Sequence, residues 1–160
     1  MFDSYDRHIL NLLQEDGRIT NLELAERVGL SSAAAWRRVK ALEEAGVIRK
    51  YTALLDANKI ARGLRAMLSV SLVRHMPECK QAFEDAVRSY PEVLQCFAVT
   101  GSADFMLLVA VEDMTVYDAF LNEKIFTLEG VGQAHTHFAL REIKNDTVFA
   151  LDARRQAGEK

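Results

Sequence analysis

The chain has 160 residues, room for one domain or two small ones, and with 49% apolar and 27% charged residues it is globular rather than disordered or fibrous. Its longest apolar runs, such as FMLLVAV at 105–111, are strand-sized and far short of the roughly 20 residues of a membrane span. The net charge of -3 alone would speak against a polyanionic partner, yet residues 31–65 hold eight Lys and Arg against Glu43, Glu44 and Asp56, a local +5. What matters for binding phosphate is the charge on one face, not the sum over the chain. The N-terminal MFDSYDRHIL lacks the basic patch and cleavage site of a secretory signal, so a cytoplasmic location is expected. Cys79 and Cys96 are too few for a disulfide framework and are expected to stay reduced.

Ile9, Leu12 and Leu13 have helical spacing behind Ser4 or Asp6 as N-cap, and Asp16-Gly17 is expected to end that helix at a left-handed position. Thr20-Asn21-Leu22-Glu23 has the form of a capping box, with Leu24, Ala25 and Val28 on the inner face and Gly29 as the stop. Ser31 or Ser32 can cap a third helix, whose inward stripe is Ala35, Val39 and Leu42 and whose end is Gly46. The short connection, with small Ala25 and Gly29 at the crossing, gives a helix-turn-helix. Residues 47–56 are β-branched and apolar and read as a strand, followed by a helical turn closed by Gly63.

Beyond a boundary near that glycine, residues 66–73 read as a strand, and Pro77 opens a helix with Ala82, Phe83, Ala86, Val87 and Tyr90 inward. Residues 93–100 form a strand, Gly101-Ser102-Ala103-Asp104 a turn, and the apolar run after it a third strand. Asp113 or Thr115 then caps a helix with Tyr117, Phe120, Leu121, Ile125 and Leu128 on one side. A last strand spans 133–143, with a short apolar piece at 148–151. The fold expected is α+β: a three-helix (winged) helix-turn-helix domain at 1–50, a connecting strand at 51–64, a ferredoxin-like βαββαβ domain at 65–152 and a solvated tail at 153–160. Leu68, Val70, Leu107, Val109 and their alternates cannot all face two helices, so one sheet face is left apolar, and a second copy of the chain is its simplest cover.

On the third helix the inward stripe leaves Ala33, Ala34, Arg37 and Lys40 outward, Arg38 on a flank and Trp36 at the border. An α-helix fits the major groove, where a guanidinium can pair with guanine, while small residues let the backbone approach base edges. Serine hydroxyls and free N–H groups at the helix start can hold phosphate. Thr20, Ser31, Ser32, Ala33, Ala34, Trp36, Arg37, Arg38 and Lys40 are therefore the candidate contacts to double-stranded DNA. The alternative is a solvated amphipathic helix.

DRHILNLLQEDGRITNLELAERVGLS, RRVKALEEAGVIRKYTALLD, GSADFMLLVAVEDMTVYDAF and HFALREIK together resemble the Lrp/AsnC (feast/famine) transcriptional regulators over nearly the whole chain. The resemblance implies a helix-turn-helix domain, a ferredoxin-like domain that dimerises sheet to sheet, dimers often assembled into octamers, and a small amino acid as effector with no other cofactor. It departs at Ala33-Ala34, where many relatives have Thr-Pro, and at Arg37, where an acidic residue is common, so the operator sequence does not carry over. GSADF resembles the family's glycine turn, which makes Thr100, Gly101, Ala103 and Asp104 candidate effector contacts. A plain hairpin turn, with Asp104 bonding backbone, is the alternative. His135 and His137 point the same way from the last strand, with Phe138 and Leu140 expected on the helix-covered side. The pair can shape the effector pocket, begin a metal site with His75 or Cys96, or be structural. A metal-responsive DNA-binding regulator and a small ferredoxin-like enzyme are the rival readings, the latter lacking any nucleophile–base–orienter set in the sequence.

Overall fold

The computed structural model describes residues 2–73 and 77–151. The chain divides into two compact units, Met1–Leu54 with Lys144–Lys160, and Leu55–Ile143.

In the first unit lie α1 (Ser4–Glu15), α2 (Asn21–Val28) and α3 (Ser32–Glu44). The N-cap of α1 is Asp3, one residue before Ser4 and three before Asp6, the two expected caps: its carboxylate accepts the Asp6 N–H at 2.9 Å while Asp6 accepts the Asp3 N–H at 3.2 Å. Two aspartates thus make a reciprocal capping box. The helix ends at Asp16 in extended conformation, and the left-handed glycines are Gly29, Gly46, Gly101 and Gly130, so Gly17 is not one of them. At α2 the expected box is present, with Thr20 and Glu23 satisfying each other's backbone N–H. Ser31, not Ser32, caps α3 by accepting the Ala34 N–H.

The core of this unit is Ile9, Leu10, Leu12, Leu24, Val28 and Leu42, with Ala25 and Ala35 buried as small spacers. Gly29, expected at the helix crossing, instead sits on the exposed turn with φ 76°, and a Cβ there would meet nothing within 4 Å. It serves the backbone conformation and not close packing.

Residues 47–56 form no strand. Val47 and Ile48 donate to the Leu42 carbonyl, closing α3, and among the described residues no strand of this unit offers the rest a ladder. β-prone residues without a pairing partner stay irregular. The 3₁₀ turn Ala57–Ile60 that follows is closed by Ala61 at φ 52°, not by Gly63, because the Asp56 cap fixes where the turn begins.

The second unit holds β1 (Leu64–Leu72), α4 (Pro77–Ser89), β2 (Val93–Ala98), β3 (Phe105–Val111), α5 (Met114–Phe120) running into a π-helical turn (Leu121–Ile125), and β4 (Val131–Phe138). The sheet order is β2-β3-β1-β4 with every pair antiparallel, the βαββαβ arrangement expected. Alternation sends Ala66, Leu68, Val70 and Leu72 with Phe105, Leu107, Val109 and Val111 against Phe83, Val87, Tyr117, Phe120 and Ile125. Their alternates cover the open face in two registered rows: Gln95, Leu108, Met67, His137, and Phe97, Met106, Ser69, His135.

β4 stops at Phe138 rather than residue 143: its last registered pair is Ala66–Phe138, the Ala139 N–H donates to the Arg65 carbonyl, and β1 begins only one residue away, at Leu64. Phe138 packs edge-on against Tyr117 at 5.1 Å, as expected of the helix side, but Leu140 lies beyond the strand and is 98% exposed. The apolar piece at 148–151, expected with the sheet, belongs to the first unit. Residue 152 and the expected tail lie outside the described residues.

Candidate functional site

The outward face of α3 is built by its own period. Ala33, Trp36, Arg37 and Lys40 are exposed and Ala34 is half-buried, while Ala35 and Leu42 fix the opposite side in the core. The Lys40 ammonium stands 5.0 Å from the Trp36 ring centroid and 3.8 Å from Glu44, so an aromatic face and a carboxylate steady it. Arg37 makes no ion pair with any described residue.

Arg38 turns the other way. Its guanidinium donates to Asp3 at 2.9 Å and Asp6 at 2.7 Å and lies 5.3 Å from the Tyr5 ring. The Asp6 and Asp3 hydrogen bonds raise its pKa further, and Asp3 in turn is lowered, first by the Asp6 N–H and then by Arg38. Arg38, expected on a flank as a candidate DNA contact, joins the start of α1 to the middle of α3.

Two of the hydroxyls, those of Thr20 and Ser31, are also engaged. Thr20 donates to Glu23 at 2.7 Å, the main reason the Glu23 carboxyl is held below its ordinary value. Ser31 caps α3, and Asn21 donates its side-chain amide to the Ser32 carbonyl at 2.9 Å, tying α2 to the start of α3. Asp3, Asp6 and Asn21 are site-building residues that sequence reasoning missed. Only the i, i+3 spacing of the two aspartates before an apolar helix signalled the first pair.

In the other unit, the turn between β2 and β3 holds Gly101 at φ 114°, with Thr100 exposed and Ala103 half-buried. Asp104 pins that turn. Its N–H donates to Val70, its carbonyl accepts from Val99, and its carboxylate accepts the Leu72 N–H at 2.9 Å and stands 3.9 Å from Lys80 on α4. Ser71 donates to the Ser102 carbonyl at 2.9 Å from the same strand.

His135 and His137 lie on the open face, opposite Ser69 and Met67. Thr136 between them points inward to Tyr117, 2.7 Å away, whose phenol is raised in pKa by burial. Cys96 pairs in register with Leu107 and so faces the helices, on the far edge strand, which removes it as a co-ligand of the histidines. Its thiol is pushed up by burial and then by Glu84. His75 lies outside the described residues. Among the described residues no group of three His, Cys, Asp or Glu could hold a metal ion, and no helix is long and apolar enough to cross a membrane.

A capped helix-turn-helix with a cationic outward helix, joined to a ferredoxin-like sheet with a glycine turn and an open face, defines a two-domain DNA-binding regulator with a sensor domain. Comparison with known proteins agrees domain by domain: residues 2–49 match the winged helix-turn-helix DNA-binding family and residues 65–149 the Lrp/AsnC ligand binding domain. Leucine-responsive regulatory proteins of Klebsiella pneumoniae and Escherichia coli K12 are each 38% identical over 152 residues, 95% of this chain and 93% of theirs. A transcriptional regulator of Neisseria meningitidis, solved as its L-Met complex, is 41% identical with a TM-score of 0.90, covering 95% of this chain and 98% of that one. An AsnC family transcriptional regulator of Agrobacterium tumefaciens is 37% identical with a TM-score of 0.88, covering 94% and 97%. The chain belongs to the Lrp/AsnC family and is a DNA-binding transcriptional regulator.

Proposed function

We propose that this regulator answers to a small apolar amino acid, reads its operator with α3, and works as a cytoplasmic homodimer or a higher, octameric assembly. The observation that carries the reading is the division of labour on α3: Arg38 is held by two carboxylates, while its neighbour Arg37 is exposed and makes no ion pair with a described residue. Arg37 and Lys40 supply the charge, Ala33 and Ala34 the close approach to base edges, and Trp36 an aromatic wall beside Lys40. Ser31, Ser32 and Thr20 present the helix starts, whose backbone N–H groups favour phosphate. Arg38 positions the helix.

The effector class follows from the relatives, one crystallised with L-Met and others named for leucine. Thr100, Gly101, Ala103 and Asp104 form its turn, with Asp104 holding the loop, and His135 and His137 line the open face beside it. Two-fold symmetry through that face puts paired α3 helices on half-sites about one helical turn, or a multiple, apart.

Operator titrations at two salt concentrations test the DNA half. Arg37→Ala and Lys40→Ala are each expected to weaken binding, and a lost phosphate contact lowers the salt slope by about one. Unchanged affinity and slope in both variants would remove α3 from the interface.

A further inference from the structure

The chain leaves the first unit after Leu54 and returns to it after Ile143. The returning residues 144–151 form neither helix nor strand, yet they are held to α1 by one side chain acting at both ends. The Gln14 amide donates to the Phe149 carbonyl at 3.1 Å and accepts the Phe149 N–H at 2.7 Å, across 135 residues of sequence. This reproduces the paired bonds of an antiparallel ladder with a primary amide in place of backbone. Leu151 adds the apolar anchor, packing on the Ile9, Leu12 and Leu42 cluster. Among the described residues little else holds the segment: Phe149 is 75% exposed, and a cavity of about 470 Å³ lies between it and Leu10, Leu13, Ile48 and Leu54. A grip of two hydrogen bonds and one leucine can be released without unfolding what it grips.

We propose that residues 144–151 are a strap through which the sensor unit acts on the recognition helix, with Gln14 as its clamp. The strap begins just after β4, the strand that bears His135 and His137, so a change at the sensor face reaches it through only residues 139–143. At its far end it holds α1, whose Asp3 and Asp6 hold Arg38, and Arg38 is next to Arg37 on α3. Gln14 is a positioning residue: its amide meets the N–H and the carbonyl of one residue, Phe149, with separate acceptor and donor atoms, a pairing that neither a carboxylate nor an alkyl side chain reproduces. The inference rests on the amino-acid-responsive reading above, and a path of packed groups becomes coupling only when both ends are measured.

The test uses the full chain, wild type and variants, and an operator selected by the wild type from random duplexes. Operator binding is titrated without and with L-methionine, L-leucine and each other proteinogenic amino acid, alongside thermal shifts with the same compounds. The wild type is expected to change operator affinity by about fivefold or more with at least one of them. In Gln14→Ala, and in Phe149→Pro, which lacks the N–H, that amino acid still raises the melting temperature. Effector-free operator affinity stays within about twofold of wild type, but the response falls below about twofold. Gln14→Glu keeps the acceptor for the Phe149 N–H and responds partway. A full response in both Gln14→Ala and Phe149→Pro overturns the strap while leaving the regulator's reading intact. A wild type that responds to no amino acid overturns both.

Discussion

Arg37 and Arg38 are adjacent in sequence and about 100° apart around a helix, and that rotation decides which one is free. Replacing Arg38 removes two solvent-screened ion pairs and leaves Asp3 and Asp6 repelling each other. The same logic applies to Tyr51, whose hydroxyl donates to Glu43 on α3 at 2.8 Å and whose pKa is pushed up to about 12, first by burial and then by that carboxylate. A phenol raised in the fold keeps its proton better folded than unfolded. The contribution is therefore complete below pH 10.0, its ordinary value, and is lost as pH rises from there toward about 12. Tyr51→Phe cannot ionise and is expected to cost about 0.5–1.5 kcal/mol at neutral pH through the missing hydrogen bond. Trp36, the only tryptophan, lies in the same unit, so urea unfolding followed by its fluorescence isolates the effect. The wild-type advantage should be flat up to pH 10.0 and shrink above it; a constant difference would contradict the assigned pKa.

Among the elements, the turns separate glycines that are needed from those that are not. Gly29 is left-handed with open space around it, so Gly29→Ala pays only for backbone strain, about 1–2 kcal/mol. Gly17 is not left-handed, and its added Cβ would make ordinary contacts at 3.8 Å to Leu13 and Tyr51, so Gly17→Ala should be neutral or stabilising by about 0.4–1 kcal/mol. Equal urea midpoints for the two variants would show that the left-handed turn is not what Gly29 supplies. The contrast also marks what the sequence could reveal. Gly29, Gly46, the Thr20–Glu23 box and the alternation of β1 and β3 are local signals, and each gave its element correctly. The missing strand at 47–56 and the early end of β4 depend on whether a partner strand is within reach, which no local window contains. So it was with the site: the outward face of α3 follows from a 3.6-residue period, whereas the engagement of Arg38 depends on aspartates 32 and 35 residues away.

For the molecule as a whole, the open sheet face has the largest consequence. Its centre is Met67 and Leu108, registered opposite each other on the two inner strands, with Phe97 and Met106 in the next row and polar Gln95, Ser69 and the two histidines around them. An apolar centre with a polar surround is how a subunit interface is composed. Met67 is 45% exposed while its neighbours Ala66 and Leu68 are at 1% and 0%, so a charge at 67 loads the open face without entering the helix-side core. Met67→Glu places that charge against its own two-fold mate, and the expected outcome is a smaller assembly by light scattering with an unchanged Trp36 unfolding midpoint. Operator affinity should then fall by about 10²–10⁴, because each half-site must be bound without the gain from a linked second one, while a single half-site duplex is bound as before. If Met67→Glu keeps the wild-type mass, the sheet face is not where the copies meet. If the mass drops but full-operator affinity holds, the paired recognition helices are not what the operator requires.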